Sequence, residues 1–139
     1  MTEQNETILE VKDLQIHFHT DRGVIRAVED VDFAVRKQEG WGLVGESASG
    51  KTVIGQALVG VVAKPAGRIV SGEILFKGKD ILKQEPKEVQ KIRGNQIAFI
   101  PQDPTTALNP LLRIGFQIGE AFKYHRHQKV EAVSEEIVN

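Results

Sequence analysis

The sequence predicts an α/β fold in which an N-terminal antiparallel β unit leads into a partial parallel sheet with flanking helices. Three observations point there. Apolar residues alternate with polar ones over residues 8–18 and 31–36, the apolar run Trp41–Gly45 opens into a glycine-rich turn, and helical spacing begins at residue 51.

Leu14, Ile16 and Phe18 alternate with Gln15 and His17, which predicts a half-buried strand over residues 8–18. Thr20-Asp21-Arg22-Gly23 is a turn cluster, and Val31, Phe33 and Val35 then alternate with Asp32, Ala34 and Arg36, so the pair reads as an antiparallel hairpin-like unit. Residues 41–45, Trp-Gly-Leu-Val-Gly, suit a strand buried on both faces. A helix is expected over 51–63 from Ile54, Leu58 and Val61/Val62, ended by Lys64-Pro65-Ala66-Gly67. Alternation returns over 68–77. A short helix follows from Pro86 to Arg93, with proline at its start and Gly94 past its end. Residues 96–101 read as a second buried strand and 103–110 as loop. A helix is expected over Ile114–Tyr124, with Ile114, Ile118, Ala121 and Phe122 on one face, and another over 130–138.

Composition narrows the function. The 139 residues carry 18 Lys+Arg and 19 Asp+Glu, a net charge of -1, where a nucleic-acid binder is usually distinctly basic. With no cysteine, thiolate metal sites, disulfides and cysteine nucleophiles are excluded. No apolar run approaches the ~20 residues that span a bilayer, and the opening Met-Thr-Glu-Gln-Asn-Glu is unlike a signal peptide. A cytoplasmic protein is the expectation.

Gly45-Glu46-Ser47-Ala48-Ser49-Gly50-Lys51-Thr52 fits G-x-x-x-x-G-K-[ST] at every fixed position, after an apolar run and before a helix. Glycines let the backbone turn so that successive N–H groups face inward, making an anion nest for phosphates at a helix N-terminus. Lys51 supplies a point charge to the β- and γ-phosphates, the Val53 N–H adds a donor, and the Thr52 hydroxyl suits Mg²⁺, which prefers oxygen ligands. Gly40-Trp-Gly42-Leu-Val-Gly45 also matches the dinucleotide pattern G-x-G-x-x-G, but its glycines belong in the turn before a helix. Here they lie in an apolar strand-like run, and no Asp or Glu occurs in residues 60–70.

Together with this loop, Gln96-Ile-Ala-Phe-Ile-Pro-Gln-Asp-Pro-Thr-Thr-Ala-Leu-Asn-Pro110 and Gly67-Arg-Ile-Val-Ser-Gly-Glu-Ile-Leu-Phe-Lys-Gly78 resemble the ATP-binding subunits of ABC transporters, in the oligopeptide/dipeptide/nickel importer branch. The resemblance runs from Ile8 onward. It implies a P-loop NTPase fold of ABC type, ATP and Mg²⁺ as ligands, and transport coupled to ATP hydrolysis. The implied partners are transmembrane permease subunits, a second ATPase subunit as homo- or heterodimer, and indirectly a solute-binding protein, with no nucleic acid. The implied location is the inner face of the cell membrane.

By the same resemblance, Gly45 to Val53 cradle the nucleotide and Phe18 matches the aromatic that stacks on adenine. Gln102 matches a glutamine that reaches Mg²⁺ and the attacking water, so Lys51 and Gln102 carry catalysis while Thr52 and Gln102 carry the metal. Read from the residues alone, Phe18 is a core strand residue and Gln102 a polar strand end. The chain departs from the family at Ala48, where glycine is usual, and at Val53, where a hydroxyl residue is common. The signature motif, the strand ending in Asp-Glu and the switch histidine do not occur in these 139 residues. The expectation is therefore the N-terminal part of a nucleotide-binding domain. Residues 8–110 would form the β unit and core as far as the Gln102 loop, and 111–139 the start of a helical subdomain. A hydrolysis-deficient binding module is the alternative. His17-x-His19, His125-x-His127 and the run Lys123–Lys129 read as solvated faces.

Overall fold

The computed structural model describes residues 6–103 and 107–126. The chain divides into two compact units, Met1–Val89 and Gln90–Asn139.

Among the described residues the first unit holds a four-stranded antiparallel sheet, one helix and the start of a second helix. Its strands are β1 (Thr7–Thr20), β2 (Gly23–Arg36), β3 (Gly67–Phe76) and β4 (Lys79–Asp80), in the order β2-β1-β3-β4. The alternation of the sequence becomes rows of side chains across the sheet. Phe33, Val11 and Ile74 are opposite one another, as are Val28, Ile16 and Ile69, and then Ile25, Phe18 and Gly67. Val11, Leu14, Ile16, Val28 and Ile74 are buried. Register shifts interrupt both pairings between Val11 and Ile16, where Asp13 and Asp30 hold positive φ of 47° and 48°. These bulges are tied by side chains: the Asp13 N–H donates to Asp32 Oδ1 and Gln15 Nε2 donates to Asp30 Oδ1. A bulge adds one residue to one strand, so the buried positions of β1 pass from odd to even, from Val11 to Leu14 and Ile16.

Helix α1 is Lys51–Leu58, shorter than the expected 51–63. It buries Ile54 and Ala57. Gly60, with φ 65°, ends it: the Val61 N–H donates to the Gln56 carbonyl and the Gly60 N–H to the Ala57 carbonyl. That pair of hydrogen bonds is a Schellman cap, and it stops the helix before the apolar periodicity runs out. After β4 a single 3-10 turn, Ile81–Lys83, buries Ile81 and is capped by Asp80, whose side chain accepts from the Leu82 N–H.

Residues 41–45 correct the sequence reading. They form no strand, and Val44 is 94% exposed. An apolar run specifies a wish for burial, whereas a strand exists only where a neighbouring chain supplies ladder hydrogen bonds. Among the described residues none does so here.

Helix α2 (Pro86–Ile92) is as expected, with Gly94 beyond its end. In the second unit, residues 96–101 are likewise not a strand. They carry one isolated parallel bridge, Arg93 to Ile97, and Ile100 is 89% exposed. Helix α3 covers Ile114–Arg126, two residues past the expected end. Its predicted apolar face is largely open, with Ile114 and Ile118 exposed and Gly119 the buried residue. Gln117 ties the preceding loop to this helix: its Oε1 accepts from the Asn109 N–H, and its Nε2 donates to the Asn109 and Leu112 carbonyls. The expected helix over 130–138 lies outside the described residues.

Candidate functional site

The glycine-rich loop Gly45–Gly50 sits in the first unit and ends on the N-terminus of α1. Gly50 makes the junction. It has φ 87°, and an added Cβ would run into the Ala27 carbonyl oxygen and come within 3.3 Å of Val28 Cγ2. Only a residue without Cβ lets the loop settle so closely on β2. At the other end a Cβ on Gly45 would lie 2.7 Å from Ser49 Oγ, so the loop closes tightly on itself. The Ser49 N–H donates to the Glu46 carbonyl across this turn.

Lys51 folds back over the loop. Its Nζ donates to the Gly45 carbonyl at 2.8 Å, to the Glu46 carbonyl and to Ser49 Oγ at 3.0 Å. One ammonium thus braces both ends of the turn while its charge remains at the loop. Helix α1 has no side-chain cap and no acidic residue in its first turn. The first N–H groups of a helix have no intrahelical acceptor, so those of Lys51, Thr52 and Val53 are directed past its end. The donor set is that of an anion site: backbone N–H groups at the positive end of a helix dipole, an ammonium and the hydroxyls of Ser47, Ser49 and Thr52. Thr52 is exposed and Val53 half-buried. A triphosphate fits this donor set. An accompanying Mg²⁺ would find the Thr52 hydroxyl as a hard oxygen ligand, and when bound it would neutralise phosphate charge.

Ala48 stands where glycine is usual, and its backbone shows why. It holds φ 64°, the left-handed region that disfavours a Cβ. The alanine therefore occupies a backbone position suited to glycine.

Phe18 lies on the same face of the sheet, one row beyond the seat of Gly50: Ile16 pairs with Val28, and Phe18 follows two residues along β1. Two residues of strand span about 7 Å. Phe18 is half-buried, and Cε1 of its ring is 2.9 Å from where a Cβ on Gly67 would stand. The ring thus covers Gly67, its pairing partner on β3. Gln102 belongs to the second unit, exposed in a bend. Sequence reasoning missed Ala27 and Val28 as the seat of the loop. Nothing in their local pattern marks them, since the contact joins residues more than 20 positions apart.

The family model described as "ABC transporter" matches residues 28–138. The dipeptide transport ATP-binding protein DppD of Lactococcus lactis is 48% identical over 120 residues, covering 86% of this chain and 34% of that protein. The oligopeptide transport ATP-binding protein OppD of Bacillus subtilis is 44% identical over 131 residues, 94% of this chain and 37% of that protein. OppD of Escherichia coli is 40% identical over 136 residues, 97% of this chain and 40% of that protein. The chain thus spans well under half the length of these relatives. Among solved structures, the dimeric bacterial ABC transporter cassette MJ0796 superposes with a TM-score of 0.74 at 21% identity, covering 91% of this chain and 53% of that one, which shows the fold. Among the described residues no helix is long and apolar enough to cross a membrane.

Proposed function

Because this chain belongs to the ABC transporter ATP-binding family, we propose that it binds the triphosphate of MgATP at Gly45–Val53 and contributes this site to the energising subunit of a peptide importer. The observation that carries the reading is the loop itself: a glycine turn seated on β2, braced by Lys51 and ending on an uncapped helix N-terminus. In this reading the backbone N–H groups and Lys51 hold the phosphates. The Thr52 hydroxyl serves the magnesium ion. Phe18 offers its ring to the adenine, on the same sheet face as the loop. Gln102 acts on the metal and the attacking water in the assembled subunit.

The relatives are dipeptide and oligopeptide transport ATP-binding proteins, and from them comes the substrate class, dipeptides and oligopeptides. By the same analogy the subunit works at the cytoplasmic face of a membrane with permease subunits. It also pairs with a second ATPase subunit, as the dimeric cassette of similar fold does.

The test is titration of the folded protein with a fluorescent ATP analogue, in wild type and Lys51→Ala. A charge-assisted hydrogen bond contributes about 1.5–3 kcal/mol, so the variant should bind about ten- to a hundredfold more weakly. An unchanged dissociation constant in folded Lys51→Ala would remove this loop from the site.

A further inference from the structure

We propose that Trp41 is a positioning residue for the phosphate loop, acting through its stack on Phe33. The inference rests on the nucleotide-binding reading above. Trp41 and Phe33 stack with ring centroids 4.4 Å apart and planes 17° from parallel. Phe33 is a fixed point: it lies in β2 opposite Val11, which is 1% exposed. Trp41 is not. It stands at the start of residues 41–46, which carry no strand ladder with any of the described residues, and a Cβ added at Gly40 or Gly42 would meet nothing within 4 Å.

The segment entering the loop is therefore gripped at two places on the same strand. Trp41 holds its beginning to Phe33, and Gly50 holds the far end of the loop to Val28. Trp41 remains 41% exposed, more than a ring recruited only to seal the core would be. Its geometric consequence is to fix where Gly45 begins the turn. A preordered loop loses less conformational freedom when it takes up a ligand, and that saving appears as affinity. Aromatic pairs of this geometry contribute enough that losing the stack corresponds to about a two- to tenfold change in an equilibrium constant.

The experiment is titration of the whole chain with MgATP and with inorganic triphosphate, using Trp41→Ala, Phe33→Ala and the double variant. Each single variant should weaken both ligands about two- to tenfold, and the double variant should lose no more than the worse single one. Trp41→Phe should recover wild-type affinity, while Trp41→Leu, equally apolar, should not. Because the chain has one tryptophan, acrylamide quenching gives a second reading: Phe33→Ala should make Trp41 more accessible, and saturating triphosphate should protect it in wild type. Wild-type affinity in Trp41→Ala or Trp41→Leu, or additive losses in the double variant, would overturn the inference and leave the binding site intact. Absence of triphosphate binding in the wild type would overturn both. If Trp41→Ala does not fold, the comparison of Trp41→Phe with Trp41→Leu decides alone.

Discussion

Gly50 rests directly on Val28, with room for no side chain between them: a Cβ there would stand 3.3 Å from Val28 Cγ2 and strike the Ala27 carbonyl. Gly50→Ala should therefore be destabilising on two counts, the contact and a φ of 87°. A Cβ in the left-handed region costs about 1–2 kcal/mol before any clash. Denaturant unfolding should show at least that loss, and triphosphate affinity should fall with it. Wild-type stability would mean that the loop does not sit on β2 in solution.

Ala48 gives the opposite expectation. At φ 64° its methyl group is strained, and glycine would relieve that strain while adding freedom to the unfolded chain. The balance should favour Ala48→Gly by about 0.5–1 kcal/mol. A lower denaturation midpoint in the glycine variant would show that the loop adopts another conformation.

Phe18→Ala separates base from phosphate. If the ring stacks on adenine, the variant should lose about 1 kcal/mol for ATP and much less for inorganic triphosphate. Equal losses for the two ligands would assign Phe18 only to its cover over Gly67.

Asp80 predicts an acid dependence. Burial pushes its carboxyl up, but the Lys83 hydrogen bond, the N–H groups of Leu82 and Ile74 and the Lys83 charge together hold it below the ordinary 3.8. A carboxyl with its folded pKa lowered contributes stability above its unfolded pKa, and that contribution fades as pH falls through the folded value. The stability gap between wild type and Asp80→Asn should therefore be full at neutral pH and close below about pH 4. Denaturation midpoints taken down to acid pH check this, and a gap that widens on acidification would contradict it.

Local pattern carried much of the first unit. Alternation placed β1, β3 and the last six residues of β2, though not its first eight, Thr20–Gly23 placed the hairpin turn, and the spacing of Gly45, Gly50, Lys51 and Thr52 marked the loop. These signals are local because a pleat repeats every two residues and a helix every 3.6. The same locality explains the errors. Trp41–Gly45 and Gln96–Pro101 have the composition of buried strands, yet a strand requires a partner backbone that composition cannot name. Helix α1 ended early because Gly60 forms a cap with Gln56 and Ala57, a stop signal stronger than the apolar spacing that continues through Val61 and Val62.

The sequence by itself determined which atoms are available for chemistry at this loop: an ammonium at Lys51, hydroxyls at Ser47, Ser49 and Thr52, and glycines at the two ends of the turn. Only the tertiary structure decided where they stand. The seat of Gly50 on Val28, the return of Lys51 to the Gly45 carbonyl, the strained φ of Ala48 and the stack of Trp41 on Phe33 depend on folded geometry. Two of these contacts join the loop and the segment before it to β2, and only the fold sets which of that strand's side chains they meet. Periodicity reports which face a residue prefers; it carries no information about which distant residue will occupy the space in front of it.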